Sequence, residues 1–182
     1  MTTKSNLELF VLAMVQRGLA TPYDLRMKAG LSLGSTVPVL ARLMSEDLIK
    51  ASELGSRRSR RFSITVKGTK ALNQGWEEHL GTRPTDLDSI LRIAYLAWLN
   101  SGNTMSAEFL EQSATGLRGW AGSLRAEAGR LAGTTGDEPD GDTFKWLRTY
   151  CEAARADADA AALGELSEQI QKRRKKTKKK NK

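Results

Sequence analysis

The sequence predicts a mainly α-helical protein, with an N-terminal winged helix-turn-helix, a small β-hairpin wing and a C-terminal helical dimerisation domain. Three observations support this fold class. Apolar residues recur at helical spacing in residues 7–49, and a short alternating segment follows an arginine-dense turn. Long helical patterns then fill the second half of the chain.

Three helices are predicted before the first strand. The apolar face of the first helix has the i, i+3, i+4 spacing and consists of Leu7, Phe10, Val11, Met14 and Val15. Thr21 is expected to cap the second helix, and Pro22 suits its first position because the N–H that proline lacks is unpaired there anyway. The third helix is expected to begin between Ser32 and Ser35 and to run to about Asp47.

The segment after the third helix predicts a hairpin. Residues 50–53 are interpreted as the first strand, and residues 54–61 as a polar turn rich in arginine. Residues 62–66 alternate apolar and polar, which is typical of a half-buried strand. A further helix is predicted over residues 69–80. Three helices followed by a basic hairpin indicate a winged helix.

The second half of the chain predicts three more helices, over residues 87–99, 103–131 and 143–171. The last helix is predicted to pack through a seam of apolar residues separated by steps of three and four. That seam consists of Phe144, Leu147, Cys151, Ala154, Ala158 and Ala161. Its small side chains would let another helix approach closely.

The predicted domains are residues 1–82 for the winged helix, 83–171 for the helical domain and 172–182 for a disordered basic tail. The charge follows a similar division. Residues 1–80 carry 12 basic and 7 acidic side chains, residues 81–171 carry 8 and 14, and the tail carries nine basic side chains and no acid. The excess of basic side chains in residues 1–80 fits a polyanionic partner for this part of the chain.

Composition excludes several classes of protein. No stretch approaches the roughly 18 apolar residues of a membrane span, so a cytoplasmic protein without membrane contact is expected. A single cysteine, Cys151, and a single histidine, His79, leave no disulfide, no metal site and no paired catalytic groups. The sequence contains no glycine-rich phosphate-binding loop, so no cofactor is expected. The protein is therefore not expected to be an enzyme.

The segment of residues 31–49 resembles the recognition-helix region of PadR-family regulators. The matching residues are Ser32, Gly34, Pro38, Leu40, Arg42, Leu43, Glu46, Leu48 and Ile49. Upstream, Gly18, Tyr23, Asp24 and Leu25 are similar to the family's entry to its second helix. Downstream, Arg58, Arg60, Arg61, Phe62, Ile64, Thr65 and Gly68 are similar to its wing. Four positions depart from the family: Pro22 replaces a glycine, Leu33 a proline, Val37 a tyrosine that approaches DNA, and Ala41 a polar residue.

The resemblance, with the chain length, implies a member of the longer PadR subgroup. Such a protein would be a transcriptional regulator, expected to repress as a homodimer on a pseudo-palindromic operator in double-stranded DNA. The residues expected at the DNA are Tyr23, Ser32, Gly34, Ser35, Thr36, Arg42, Arg57, Arg58, Arg60, Arg61 and Lys67. For Arg42, a structural ion pair with a neighbouring acid is an equally good interpretation.

Two further alternatives stay open at the level of the sequence. Aromatic residues of the second half could line a pocket for a small aromatic effector, or they could simply fill the core and the dimer interface. They are Tyr95, Trp98, Phe109, Trp120 and Trp146. The protein could also be a winged-helix adaptor that binds other proteins through its acidic helical half.

Overall fold

The computed structural model describes residues 4–52, 60–133 and 141–180, with side chains described up to residue 173. Within these ranges the protein is mainly helical and has one two-stranded antiparallel sheet. The elements are α1 (Asn6–Gln16), α2 (Pro22–Ala29), α3 (Leu33–Ser45), β1 (Ile49–Ala51), β2 (Phe62–Ile64), α4 (Val66–Gly75), a 3-10 helix (Glu77–Gly81), α5 (Leu87–Ser101), α6 (Asn103–Ala132) and α7 (Gly141–Lys180). The predicted fold class, a winged helix-turn-helix followed by a helical part, is confirmed.

Two helices differ in extent from the prediction. Helix α4 begins at Val66, inside the segment predicted as strand, because the Thr65 hydroxyl accepts the N–H of Gly68 and caps the helix. Helix α7 continues to Lys180 instead of ending at Gln171, so it includes most of the segment predicted to be a disordered tail. Lysine and arginine are good helix formers and do not oblige a helix to stop.

The chain divides into two compact units. The first contains Met1–Thr82 and Tyr95–Asn100, and the second contains Arg83–Ala94 and Ser101–Lys182. Helix α5 therefore contributes residues to both units, whereas the sequence assigns it entirely to the second domain.

The core of the first unit is built mainly from leucines. Fully buried leucines from five helices are Leu9, Leu12, Leu25, Leu43, Leu72 and Leu96. Burying each such side chain contributes roughly 1.5–3 kcal/mol. At the edge of this core, the rings of Phe10 and Tyr95 meet edge to face, with centroids 5.5 Å apart.

A left-handed turn links α3 to the hairpin. Asp47 has φ 57°, and the next N–H, that of Leu48, bonds back to the carbonyl of Leu43 at 2.8 Å. The Leu48 carbonyl then accepts the backbone N–H of Thr65 at 3.0 Å. Gly68 packs directly against this carbonyl, at a distance that leaves no room for a Cβ atom.

The second unit is centred on the packing of α6 against α7. The two helices run antiparallel, because Ser167 near the end of α7 bonds to Ala107 near the start of α6. Lys145, near the start of α7, faces Glu127 near the end of α6 at 3.8 Å. The buried positions of α7 are Thr149, Ala153, Ala156, Ala160, Leu163, Ser167 and Ile170.

The predicted seam of α7 does not face α6. Phe144 is 69% exposed, Leu147 49% exposed, and Cys151 is also exposed, so this apolar stripe points away from α6. The physical reason is that α7 is rich in alanine on more than one side. Periodicity identifies an apolar face, but it does not choose between two such faces on one helix.

We expect Gly68→Ala to destabilise the first unit by about 1–3 kcal/mol, because the new methyl group collides with the Leu48 backbone. Gly34→Ala in α3 is the matched control. A Cβ there meets nothing within 4 Å, so alanine should be neutral or stabilising by up to about 1 kcal/mol. Urea unfolding measures both, and equal stability of the two variants would contradict the close approach.

We expect Ala160→Leu to destabilise the second unit by about 1–3 kcal/mol, because Ala160 is fully buried against α6. Ala126→Leu, at an exposed position of α6, should leave the free energy of unfolding nearly unchanged. Thermal unfolding followed by circular dichroism distinguishes the two variants. The reverse order of stability would contradict the burial of Ala160 between the two helices.

Candidate nucleic-acid interface

Helices α2 and α3 form the helix-turn-helix, and both begin with side-chain caps. The Thr21 hydroxyl accepts the N–H of Asp24 at 3.0 Å and donates to its carboxylate at 2.8 Å. Helix α2 ends at Gly30, which adopts φ 68°, the left-handed conformation that glycine tolerates without strain. Two residues later, Ser32 caps α3 by accepting the N–H of Ser35 at 3.2 Å.

Asp24 connects the start of α2 electrostatically with the wing. The hydrogen bond from Thr21 lowers the pKa of the Asp24 carboxyl, and the positive charges of Lys28 and Arg61 lower it further. The Lys28 ammonium lies 3.7 Å from this carboxylate. Arg61 at the base of the wing therefore acts electrostatically on the start of α2.

The residues at the start of α3 differ in their access to solvent. Ser32, Gly34 and Ser35 are exposed, and the two serine hydroxyls lie 2.8 Å apart in a hydrogen bond. Thr36 is fully buried, and its hydroxyl donates to the Ser32 carbonyl at 2.6 Å. Thr36 therefore stabilises the first turn of the helix and lies out of reach of DNA, in contrast to its expected role.

The basic residues near the end of α3 hold contacts within the first unit. The Arg42 guanidinium lies 3.4 Å from the Glu8 carboxylate, and Glu8 also accepts the backbone N–H of Ser5 at 2.8 Å in the capping box of α1. This geometry favours the structural interpretation of Arg42. Lys67 donates to the Glu46 carbonyl at 2.8 Å, and two of its three N–H donors remain for another partner.

The wing is anchored at its base by backbone hydrogen bonds. Strands β1 and β2 pair with Ile49 opposite Ile64, and the N–H of Ser52 bonds to the Arg61 carbonyl at 2.7 Å. The Phe62 N–H bonds to the Ala20 carbonyl at 2.6 Å, which joins β2 to the residues that precede α2. The side chains of Arg60 and Arg61 are exposed, and Arg57 and Arg58 lie outside the described residues.

The five aromatic residues expected at an effector pocket are divided between the units. Tyr95 and Trp98 belong to the first, whereas Phe109, Trp120 and Trp146 belong to the second. Phe109 is buried, and Trp146 is half-buried. Trp120 lines a cleft of about 250 Å³ in the second unit, together with Thr85, Asp86, Leu87, Glu152, Arg155, Ala156 and Asp159.

Two apolar surfaces were not recognised from the sequence as exposed. One is the stripe of α7, and the other consists of exposed apolar residues of the helix-turn-helix, Tyr23 and Met27 on α2 and Leu33 and Val37 on α3. The second surface could have been predicted from the sequence, because Leu33 and Val37 are two of the positions that depart from the pattern of PadR proteins.

Two features are absent from the described residues. No group of three or more histidine, cysteine, aspartate and glutamate side chains is arranged there to hold a metal ion. Among the helices of those residues, none combines the length and the apolar character needed to cross a membrane.

No known family and no curated protein sequence matches this chain. Among solved structures, it is similar to PadR of Bacillus subtilis, which was crystallised in complex with operator DNA. The sequence identity is 15% and the TM-score 0.37, over 90% of this chain and 96% of that chain. Because this similarity is low, the fold class is assigned from the helices and strands of the protein itself.

Proposed function

We propose that this protein is a cytoplasmic transcriptional regulator of the PadR type that binds double-stranded DNA and represses by occupying an operator. The observation that carries the proposal is the exposed pair Arg60 and Arg61 at the base of a wing that is hydrogen-bonded to the helix-turn-helix. Residues 1–82 form the DNA-binding domain in this proposal, and residues 83–171 form the dimerisation domain.

The surface around α3 suits a DNA backbone. Arginines of the wing neutralise phosphates, a contact that contributes affinity without choosing a sequence. The exposed Ser32, Gly34 and Ser35 lie where free N–H groups and the positive end of the helix dipole favour a phosphate. Tyr23, 68% exposed on α2, can donate its hydroxyl to the same backbone. Arg57 and Arg58 are proposed as further DNA contacts from the sequence alone.

The proposed homodimer forms through the outer face of α7. Its apolar stripe recurs at steps of three and four residues and consists of Phe144, Leu147, Cys151, Ala154, Ala158 and Ala161. The residues with the largest exposed side chains are Phe144, Leu147 and, beside the stripe, Tyr150. A second copy that packs on this stripe removes these side chains from water. Two-fold symmetry then gives two wings for half-sites about 34 Å apart.

A small aromatic effector is the regulatory part of the proposal. Trp120 lines the cleft of about 250 Å³ in the second unit, and it is the aromatic side chain that such a ligand would contact there. Such a ligand relieves repression only if it binds two arrangements of the dimer with different affinity.

A second candidate function is an adaptor that binds other proteins. Tyr23 and Met27, 68% and 62% exposed, favour it because solvent-facing aromatic and methionine side chains are enriched at protein interfaces. The partner would use the acidic helical half as a second contact. The experiment on DNA binding below separates the two functions.

We expect the full-length protein to bind its own upstream DNA more tightly than scrambled DNA in fluorescence anisotropy. Changing both Arg60 and Arg61 to alanine should lower the slope of log affinity against log salt by about 2, because each phosphate contact contributes about 0.9. The matched control changes Arg130 and Arg148, which are 76% and 71% exposed in the second unit, and should leave the slope unchanged.

A variant that ends at Gln171 completes this test. Specific binding that survives this truncation supports the winged helix as the DNA-binding element. Weak, equal binding to both DNAs that disappears with the basic end of the chain would contradict the regulator, and the adaptor function would replace it.

We expect the wild-type protein to sediment as a dimer at micromolar concentration and Leu147→Glu to sediment as a monomer, because a carboxylate would be buried in the apolar interface. Thr115→Glu, on an exposed position of α6, is the control and should remain dimeric. Circular dichroism verifies that both variants fold. A monomeric wild-type protein, or a dimeric Leu147→Glu, would contradict the proposed interface.

A further inference from the structure

The exposed face of α3 is apolar at most of its positions. Leu33 is 42% exposed and Val37 is 53% exposed, and they lie one helical turn apart. Pro38 and Ala41 are exposed on the same helix. None of these side chains donates or accepts a hydrogen bond, which is unusual for a helix that would enter a DNA groove.

The polar side chains of this helix face are already bonded within the protein. The Ser35 hydroxyl contacts the Ser32 hydroxyl and carbonyl at 2.8 and 3.1 Å. The Ser45 hydroxyl donates to the Arg42 carbonyl at 2.8 Å, and the Arg42 side chain is paired with Glu8. A bidentate contact from Arg42 to guanine would require this ion pair to open. Hydrogen-bonded base reading by α3 is therefore restricted.

The charge around this face indicates DNA in preference to a protein partner. Arg60, Arg61 and Lys50 are exposed on the adjoining hairpin, and residues 1–80 carry 12 basic against 7 acidic side chains. Two of these acids, Glu8 and Asp24, are paired with cations of the protein. An apolar helix face bordered by basic side chains is complementary to a groove lined by phosphates.

The apolar feature of the major groove is the 5-methyl group of thymine. We propose that Val37 and Leu33 recognise thymine methyl groups, so that the operator half-sites are defined by the positions of thymines more than by hydrogen bonds to guanine. This inference rests on the proposed DNA-binding function and adds the chemistry by which α3 selects its site. Ala41, one turn after Val37, leaves room for the helix to approach the bases closely.

The test begins with selection of bound duplexes from random DNA by the full-length protein. The selected site is then prepared with thymine or with deoxyuridine, which pairs identically but lacks the methyl group. We expect affinity to fall by about fourfold for each methyl group that loses its contact. Val37→Ala should bind the thymine site more weakly and discriminate less between thymine and deoxyuridine.

Val66→Ala is the matched control, because Val66 is 91% exposed on α4 and should leave both affinity and discrimination unchanged. Specific binding that is equal for thymine and deoxyuridine would overturn the inference and leave the regulator intact. Equal affinity and equal discrimination of Val37→Ala and the wild type would overturn the inference as well, because Val37 would then not contact the bases. The exposed face of α3 would in that case be available to a protein partner. Failure to select any DNA sequence would instead contradict the proposed function.

Discussion

The carbonyl group of Leu48 accepts the N–H of Thr65 at 3.0 Å, and the Thr65 hydroxyl shares its one proton between the Asp47 carbonyl at 2.8 Å and the Leu48 carbonyl at 3.1 Å. The same hydroxyl caps α4 by accepting the N–H of Gly68. The end of α3, the return of the hairpin and the start of α4 therefore meet at one peptide group. Only glycine at position 68 permits this approach, so the orientation of α3 relative to the wing depends on the absence of one methyl group.

Those parts of the fold that depend on neighbours in sequence could be predicted from it. Thr21 and Ser32 cap helices because their hydroxyls reach N–H groups three residues ahead, and Pro22 begins a helix for an equally local reason. The end of the hairpin was less predictable. Val66 fits the alternation of β2, and the cap at Thr65 prevails because Leu48, distant in sequence, holds that residue in place.

The surfaces were harder to predict than the elements. An alanine-rich helix such as α7 satisfies a helical pattern on several sides, and only the partner helix decides which side is buried. The sequence assigned Arg60, Arg61 and Thr36 to the same DNA-binding surface, but in the structure the two arginines are exposed and Thr36 is fully buried. Burial of this kind depends on how α3 packs against the other elements of the first unit, which periodicity does not encode.

Ser167 has a consequence for how α6 and α7 align. Much of the buried face of α7 consists of alanine, at Ala153, Ala156 and Ala160, and such small side chains restrict the relative position of two helices less than large ones do. The Ser167 hydroxyl is buried and donates to the Ala107 carbonyl at 2.9 Å. A slip would leave this donor without a partner, at a cost of about 1–3 kcal/mol. This buried hydrogen bond therefore favours one alignment of α6 and α7, together with the ion pairs Lys145–Glu127 and Arg125–Asp157.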